Sequence, residues 1–239
     1  MNNKENYIGI SNRIPFTVID EALDNYFLTG VIDKELCFLH IKEFTAGDNR
    51  AKKTLQHLVA VINRNEKIIK ALSKIVKGKY LELSLVDRKV FTVCLFCNSF
   101  PIAYQILKAF SVGFKVQPLL SKQFLLQKIG AIYGGNRAMH IAVDEVTALL
   151  IECGLINREK VGVYSFGQKM LINSKFIKEL IVYTDIKVSD SKSLLVDELD
   201  YKPWYLYFDT PELSKENFNI LISKKESLVG KGYLTISSI

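Results

Sequence analysis

"YGGNRAMHIAVDEVTALLIECGLI", residues 133–156, reads as a tight turn that runs straight into a two-faced helix. Ala142, Val146, Leu149, Leu150 and Cys153 recur at steps of three and four, which places them on one stripe of a helix, while Arg137, His140 and Asp144 share the opposite face. One side packs and the other is displayed. Gly154 follows the last periodic residue, where a left-handed conformation closes a helix, and Leu155 and Ile156 give the departing chain apolar anchors.

The flanks extend the pattern. Upstream, "SKQFLLQKIGAIYG" (121–134) sets Phe124, Leu125, Ile129 and Ile132 at helical spacing, so Gly134, Gly135 and Asn136 form a short turn between two helices. Downstream, "NREKVGVYSFGQKMLI" (157–172) alternates Val161, Val163 and Phe166 with small or polar residues, and Gly162 and Gly167 suit the bends of a small hairpin. Helix, turn, helix and basic hairpin together describe a winged helix-turn-helix, whose second helix enters the major groove of double-stranded DNA. On that reading Arg137 and His140 contact bases or phosphates, and Asn136 reaches a phosphate or an adenine edge. Lys122 and Lys128 stand on the preceding helix, and Arg158 and Lys160 on the wing. Asp144 and Glu145 oppose phosphate. The competing reading is a helix-turn-helix that packs an ordinary domain or holds a protein partner.

The rest of the chain is read outward from this module. Residues 16–29, "FTVIDEALDNYFLT", predict a helix with Thr17 as its cap and Val18, Ala22, Leu23 and Tyr26 on one side. A second starts at Asp33 and is stopped by Gly47. "DNRAKKTLQHLVAVINRN" (48–65) follows with an apolar stripe of Leu55, Leu58, Val59 and Ile62, and then the amphipathic "EKIIKALSKIVKGK" (66–79). A helix from Val86 to about Asn98 precedes Pro101, which permits a new helical start at "PIAYQILKAFSVGF", and "VQPLL" is a short extended link. From Asn173 the texture changes: "ELIVYTDIKV" and "PWYLYF" carry the β-branched and aromatic residues of strands, and "TPELSKENFNILI" carries a threonine–proline helix start. The expectation is a mainly α protein of tandem helix-turn-helix or winged-helix modules, with an N-terminal helical domain over 1–82, a winged-helix domain over 83–172 and a small α+β unit over 173–239.

A faint internal echo accompanies the tandem reading. "AGDNRAKKTLQHLVAVI" and "YGGNRAMHIAVDEVTALL" superpose without gaps, matching Asn49 to Asn136, Arg50 to Arg137, Ala51 to Ala138 and Val59 to Val146. Arg50, Lys53 and His57 then fall where Arg137, His140 and Asp144 fall. Duplication and the shared alphabet of helices both account for this.

Charge favours an acidic partner without identifying one. The 239 residues carry 32 lysines and arginines against 25 acids, a net charge of +7, and 49% hydrophobic content excludes wholesale disorder. Ten of the cations lie between Lys42 and Lys79 against Glu43, Asp48 and Glu66. Arg50, Lys52 and Lys53 crowd the first turn of a helix, where cations oppose the dipole, and a phosphate partner would compensate for that cost. The alternative is a solvated face.

Catalytic and metal chemistry find no signature. "CLFC", Cys94–Cys97, has no second pair, and His40, His57 and His140 are not at zinc-finger spacing from it. "YGGN" lacks the G-K-S/T of a phosphate loop. No catalytic residue, metal or cofactor is assigned. The four cysteines sit in apolar helical contexts and are expected reduced, and Trp204 with Tyr201, Tyr205 and Tyr207 reads as core more readily than as a base-stacking platform. "MNNKENYIGISNR" lacks the apolar core of a signal peptide and no stretch has the ~18 apolar residues of a span, which predicts a soluble, cytoplasmic chain without membrane contact.

In the order of "LTGVIDKELCFLHIKEF", "NRAKKTLQHLVAVINRN", "DRKVFTVCLF" and "LLIECGLI", residues 20–170 resemble the BrxA family of bacteriophage-exclusion (BREX) systems. The resemblance implies a non-enzymatic bacterial DNA-binding protein of stacked winged-helix-like modules, working with other phage-defence proteins. The later "YKPWYLYF" has no counterpart in it. A transcriptional or plasmid regulator and an interaction scaffold remain the alternatives.

Overall fold

The computed structural model describes residues 8–134, 136–211, 213, 217–227 and 230–237. Among these the chain is mainly helical, with a few small sheets. The first half contributes α1 (Phe16–Thr29), α2 (Lys34–Phe44), α3 (Asp48–Arg64) and α4 (Glu66–Ile75), then α5 (Leu85–Ser99) and α6 (Pro101–Phe114). β1 (Leu119–Ser121), α7 (Lys122–Tyr133), α8 (Arg137–Glu152), β2 (Ile156–Lys160) and β3 (Val163–Phe166) follow. The remainder holds β4 (Met170–Leu171), α9 (Lys175–Val188), β5 (Leu194–Leu195), β6 (Phe208–Asp209), β7 (Ile222–Lys225) and β8 (Tyr233–Ile236).

Local chemistry sets many of the helix starts. Asp33 accepts from the Leu36 amide, Ser84 from Asp87, Ser121 from Phe124 and Asn136 from Ala138, each side chain satisfying an amide that has no partner within its helix. Pro101 opens α6, where its missing N–H costs nothing. α5 and α6 diverge there by 118°, and no single helix among the described residues is long and apolar enough to cross a membrane.

α1 departs from its expected start. The helix begins at Phe16 after Pro15, and Thr17 does not cap it. The acceptor comes from across the fold instead, as Glu152 at the end of α8 takes the Phe16 amide at 2.6 Å and also pairs with Arg13. A tertiary carboxylate replaces the local cap. Gly47 likewise does not stop α2, which ends at Phe44, but leads α3 with φ 88°.

α5 lies at the centre of the core, buried continuously from Val90 to Cys97 and packed against α1, α3, α6 and α9. Asn65, buried between α3 and α4, donates to the carbonyls of Val61 and Leu95 at 2.8 and 3.0 Å and to the Ser99 hydroxyl at 2.8 Å, fastening the helical first half to α5. The stripe of α3 differs from expectation: Leu58 and Ile62 are buried, but Ala51, Thr54 and Val61 complete the face while Leu55 and Val59 are half-exposed. Contact with both α2 and α5 turns the helix beyond its simplest apolar stripe.

That rotation bears on the internal echo. α2 and α3 form one helix–turn–helix pair and α7 and α8 another, yet the α3 positions that are buried align with positions of α8 that are largely exposed or half-exposed, such as Ile141 and Glu145. The two core faces differ by roughly a third of a turn. Among the described residues α4 follows α3, whereas a hairpin follows α8.

The strands form three small sheets. β1, β3 and β2 are antiparallel in the order β1-β3-β2, with Leu120 opposite Tyr164 and Arg158 opposite Tyr164 on the other edge. Tyr164 carries the buried face of this hairpin, and Val161, expected within the alternation, stands at its tip at 95% exposure. Gly167 is required by close approach, since a Cβ there would lie 2.2 Å from the Gly154 carbonyl. Gly154 itself adopts φ 81°, closing α8 as its position implied.

The C-terminal segment is the largest departure. "ELIVYTDIKV" is helical within α9, and "PWYLYF" is a 3-10 turn over Pro203–Tyr207 leading into β6. β-branched residues report burial as much as backbone preference, and α9 is buried on nearly every side. Its Glu179 accepts the amides of Asn219, Ile220, Leu221 and Ile222, and Trp204 donates to the Ile181 carbonyl at 3.0 Å. The helix start read at "TPELSKENF" falls on a stretch of which residues 212 and 214–216 lie outside the described residues. β4 pairs with β6 in parallel, and β5, β8 and β7 form an antiparallel sheet in the order β5-β8-β7.

Candidate nucleic-acid interface

α8 divides as its spacing predicts. Ala142, Val146, Leu149 and Leu150 are buried, while Arg137, His140 and Asp144 are exposed, with Ile141 among them at 36% exposure. The open face narrows along the helix. Ala148, Ile151 and Glu152 are half-buried, because the start of α1 lies against the end of α8 through Glu152, so only the first two turns face solvent fully. Asn136 opens the helix with its Oδ1 on the Ala138 amide at 2.9 Å, which commits that oxygen locally; Gly135 before it lies outside the described residues.

The start of α7 and the hairpin tip meet this face. The Lys122 amide donates to the Gly162 carbonyl at 2.7 Å, and its ammonium lies 2.6 Å from Asp144, which neutralises the carboxylate that would oppose phosphate on α8. Arg158 and Lys160 project from β2 into solvent, and Glu159 between them is turned to the Ser165 hydroxyl at 2.5 Å. Lys128 is exposed further along α7, its ammonium 5.7 Å from the centre of the Phe124 ring. Arg137, His140, Lys122, Arg158 and Lys160 therefore belong to one module, with Lys128 on the same helix as Lys122.

The cluster at the start of α3 approaches α8 from the other flank. Arg50, Lys52 and Lys53 are exposed, and Asp48 beside them is occupied by Lys42 at 2.5 Å. Arg50, Arg13, Asn12, Phe44 and Glu145 line one cleft of about 190 Å3 between the α2–α3 turn and α8. Burial raises the Glu145 carboxyl above its ordinary range, helped by neighbouring Asp144 and resisted by Arg13 and Arg50. Arg13 and Asn12 escaped the sequence reading. Arg13 meets Glu152 across 139 residues and Asn12 donates to the Arg50 carbonyl at 3.2 Å, contacts for which no local pattern exists.

His57 does not share the displayed face assigned to it with Arg50 and Lys53. It is half-buried, 3.2 Å from the Ser11 hydroxyl and edge-on to Phe100, and burial, then Lys53 and Arg64, lower its pKa. The rotation of α3 takes it inward.

The cysteines are all free and buried; burial pushes Cys37 up to about 11 and Cys94 up to about 12, and raises Cys97 and Cys153 as well. Among the described residues no three His, Cys, Asp or Glu side chains gather as a metal would need. The exposed groups of the α8 face offer positive charge and hydrogen-bond donors. Compared with known proteins, the chain matches no family model, no curated protein and no solved structure.

Proposed function

We propose that the protein binds double-stranded DNA through a winged-helix module running from α6 to β3, with α8 as the helix that enters the major groove. The observation that carries the reading is the exposed start of α8, with Arg137 and His140 outward and the hairpin cations Arg158 and Lys160 in the same module. The order helix, strand, helix, helix, hairpin, with β3 between β1 and β2, supports the winged assignment. Lys122 holds Asp144, so the helix face presents less negative charge than its sequence suggests. The resemblance noted above extends the proposal to a role in phage defence beside other proteins of such a system.

An interaction scaffold is favoured by one separate observation. Leu28 near the end of α1, Val31 in the turn that follows and Leu39 on α2 are 71%, 63% and 63% exposed, apolar side chains that a protein partner would cover. Equilibrium titration of a labelled random duplex into the whole chain separates the readings. DNA binding predicts saturable complex formation that weakens when Arg158 and Lys160 are both changed to alanine. No complex at low ionic strength would leave the scaffold.

A further inference from the structure

The hairpin of α1 and α2 carries apolar side chains that the fold leaves uncovered. α2 buries Cys37 and Ile41, while Leu36 and Leu39, three residues apart on its outer side, share one stripe and are exposed. α1 adds to the same side. Its Glu21 lies 2.5 Å from His40 of α2, which sets the two helices against each other. Leu28 is two helical turns beyond Glu21 and Leu36 one turn before His40, so both leucines fall on the side that this pair marks. Leu28 and, in the turn between the helices, Val31 are exposed as well. Single exposed leucines are ordinary, but four apolar side chains gathered on one short hairpin form a patch that a partner would cover.

The charges around this patch fit a second copy of the same hairpin. Glu21, Glu35 and Glu43 border it, which sets it apart from a phosphate-binding surface. Glu35 and Lys42 stand seven residues apart, two turns of helix, and therefore share one flank of the stripe that holds Leu36 and Leu39. When two identical helices pack antiparallel about a twofold axis, each flank meets the same flank of the other copy running the opposite way. Glu35 of each chain then stands opposite Lys42 of the other. The pattern is complementary to itself. Lys42 reaches Asp48 within its own chain at 2.5 Å, and because both side chains are exposed, exchanging that pair costs little.

We propose that the protein forms a homodimer through this hairpin, with α2 packed antiparallel on α2 of a second copy. Leu36 and Leu39 lie at the centre of the contact, Leu28 and Val31 beside them, and two Glu35–Lys42 pairs close one flank. A contact made by one short helix and the end of another is small, so the dimer exchanges with monomer at about micromolar concentration rather than being permanent. The inference does not rest on α8 meeting DNA.

Sedimentation velocity of the whole chain without nucleic acid, from about 1 to 100 μM, tests the proposal. A concentration-dependent monomer–dimer equilibrium is expected. Leu28→Lys with Leu39→Lys, at the two most exposed leucines of the patch, should weaken it by about tenfold or more, with folding checked by thermal melting. Glu35→Lys and Lys42→Glu should each weaken it by roughly threefold or more, by setting like charges opposite each other. The chain carrying both charge changes should recover, because opposite charges face again, a recovery that neither residue would show in a merely structural role. A single monomeric species throughout that range would overturn the proposal. So would a dimer that the leucine changes leave intact, or a double charge exchange that associates no more tightly than either single one.

Discussion

On the proposed DNA-binding reading, Arg137 is the residue on which base recognition would turn. It stands at the first position of α8, exposed and outside any side-chain pairing among the described residues, in the place from which a guanidinium can meet a guanine edge with two bonds. Arg137→Ala should cost about 1 to 3 kcal/mol on a preferred duplex and much less on random sequence, measured by competition titration. His57 makes a separate, pH-dependent contribution. Its folded pKa lies below the ordinary 6.5, so unfolding takes up a proton in the interval beneath 6.5 and stability falls as pH drops through it. His57→Gln should flatten that fall in a series of thermal melts between neutral and mildly acidic pH. The four thiols belong to the same scale: buried and with raised pKa values, they should react with a thiol reagent only as fast as the chain opens, and rapid labelling of the native protein would contradict their placement.

At the scale of elements, the start of α1 is a test of how a distant group can replace a local cap. Glu152→Ala removes the acceptor of the Phe16 amide and the partner of Arg13, and should cost about 1 to 3 kcal/mol in denaturant unfolding. Thr17→Ala should cost little, because Thr17 is not the cap. The contrast explains what could be read from sequence. α2, α6, α7 and α8 start where Asp33, Pro101, Ser121 and Asn136 stand, because the chemistry that starts them is within three residues. The facing of α8 was legible for a similar reason, since its buried stripe follows one simple period. α3 was less so: contacts with α2 and α5 add Ala51, Thr54 and Val61 to its buried face and turn His57 inward. α9 was not legible as a helix, because its β-branched residues are explained by burial all round rather than by strand geometry. The cleft joining Arg13, Arg50 and Glu145 had no local signal at all.

Across the whole molecule, helices from the beginning, middle and end of the chain share one apolar core, with α5 in contact with α1, α3, α6 and α9. Glu179 ties the last strands to that core through backbone amides. Glu179→Ala would leave several buried N–H groups without an acceptor and should destabilise the chain by about 3 kcal/mol or more, read from the midpoint of chemical unfolding. The same joining of distant segments sets the start of α3 beside α8 across the Arg13–Arg50 cleft, so that cations separated in sequence flank one helix. If both flanks lie on DNA, Arg50→Ala with Lys52→Ala and Lys53→Ala should weaken binding to every duplex alike and flatten its salt dependence by about one unit per lost contact.

The most direct test is duplex affinity measured for the whole chain at several salt concentrations. With about five of these cations on phosphates, the logarithm of the association constant should fall with the logarithm of salt concentration at a slope of about −4 to −5. An affinity that does not change with salt, or no binding at the lowest salt, would contradict the assignment of this surface to DNA.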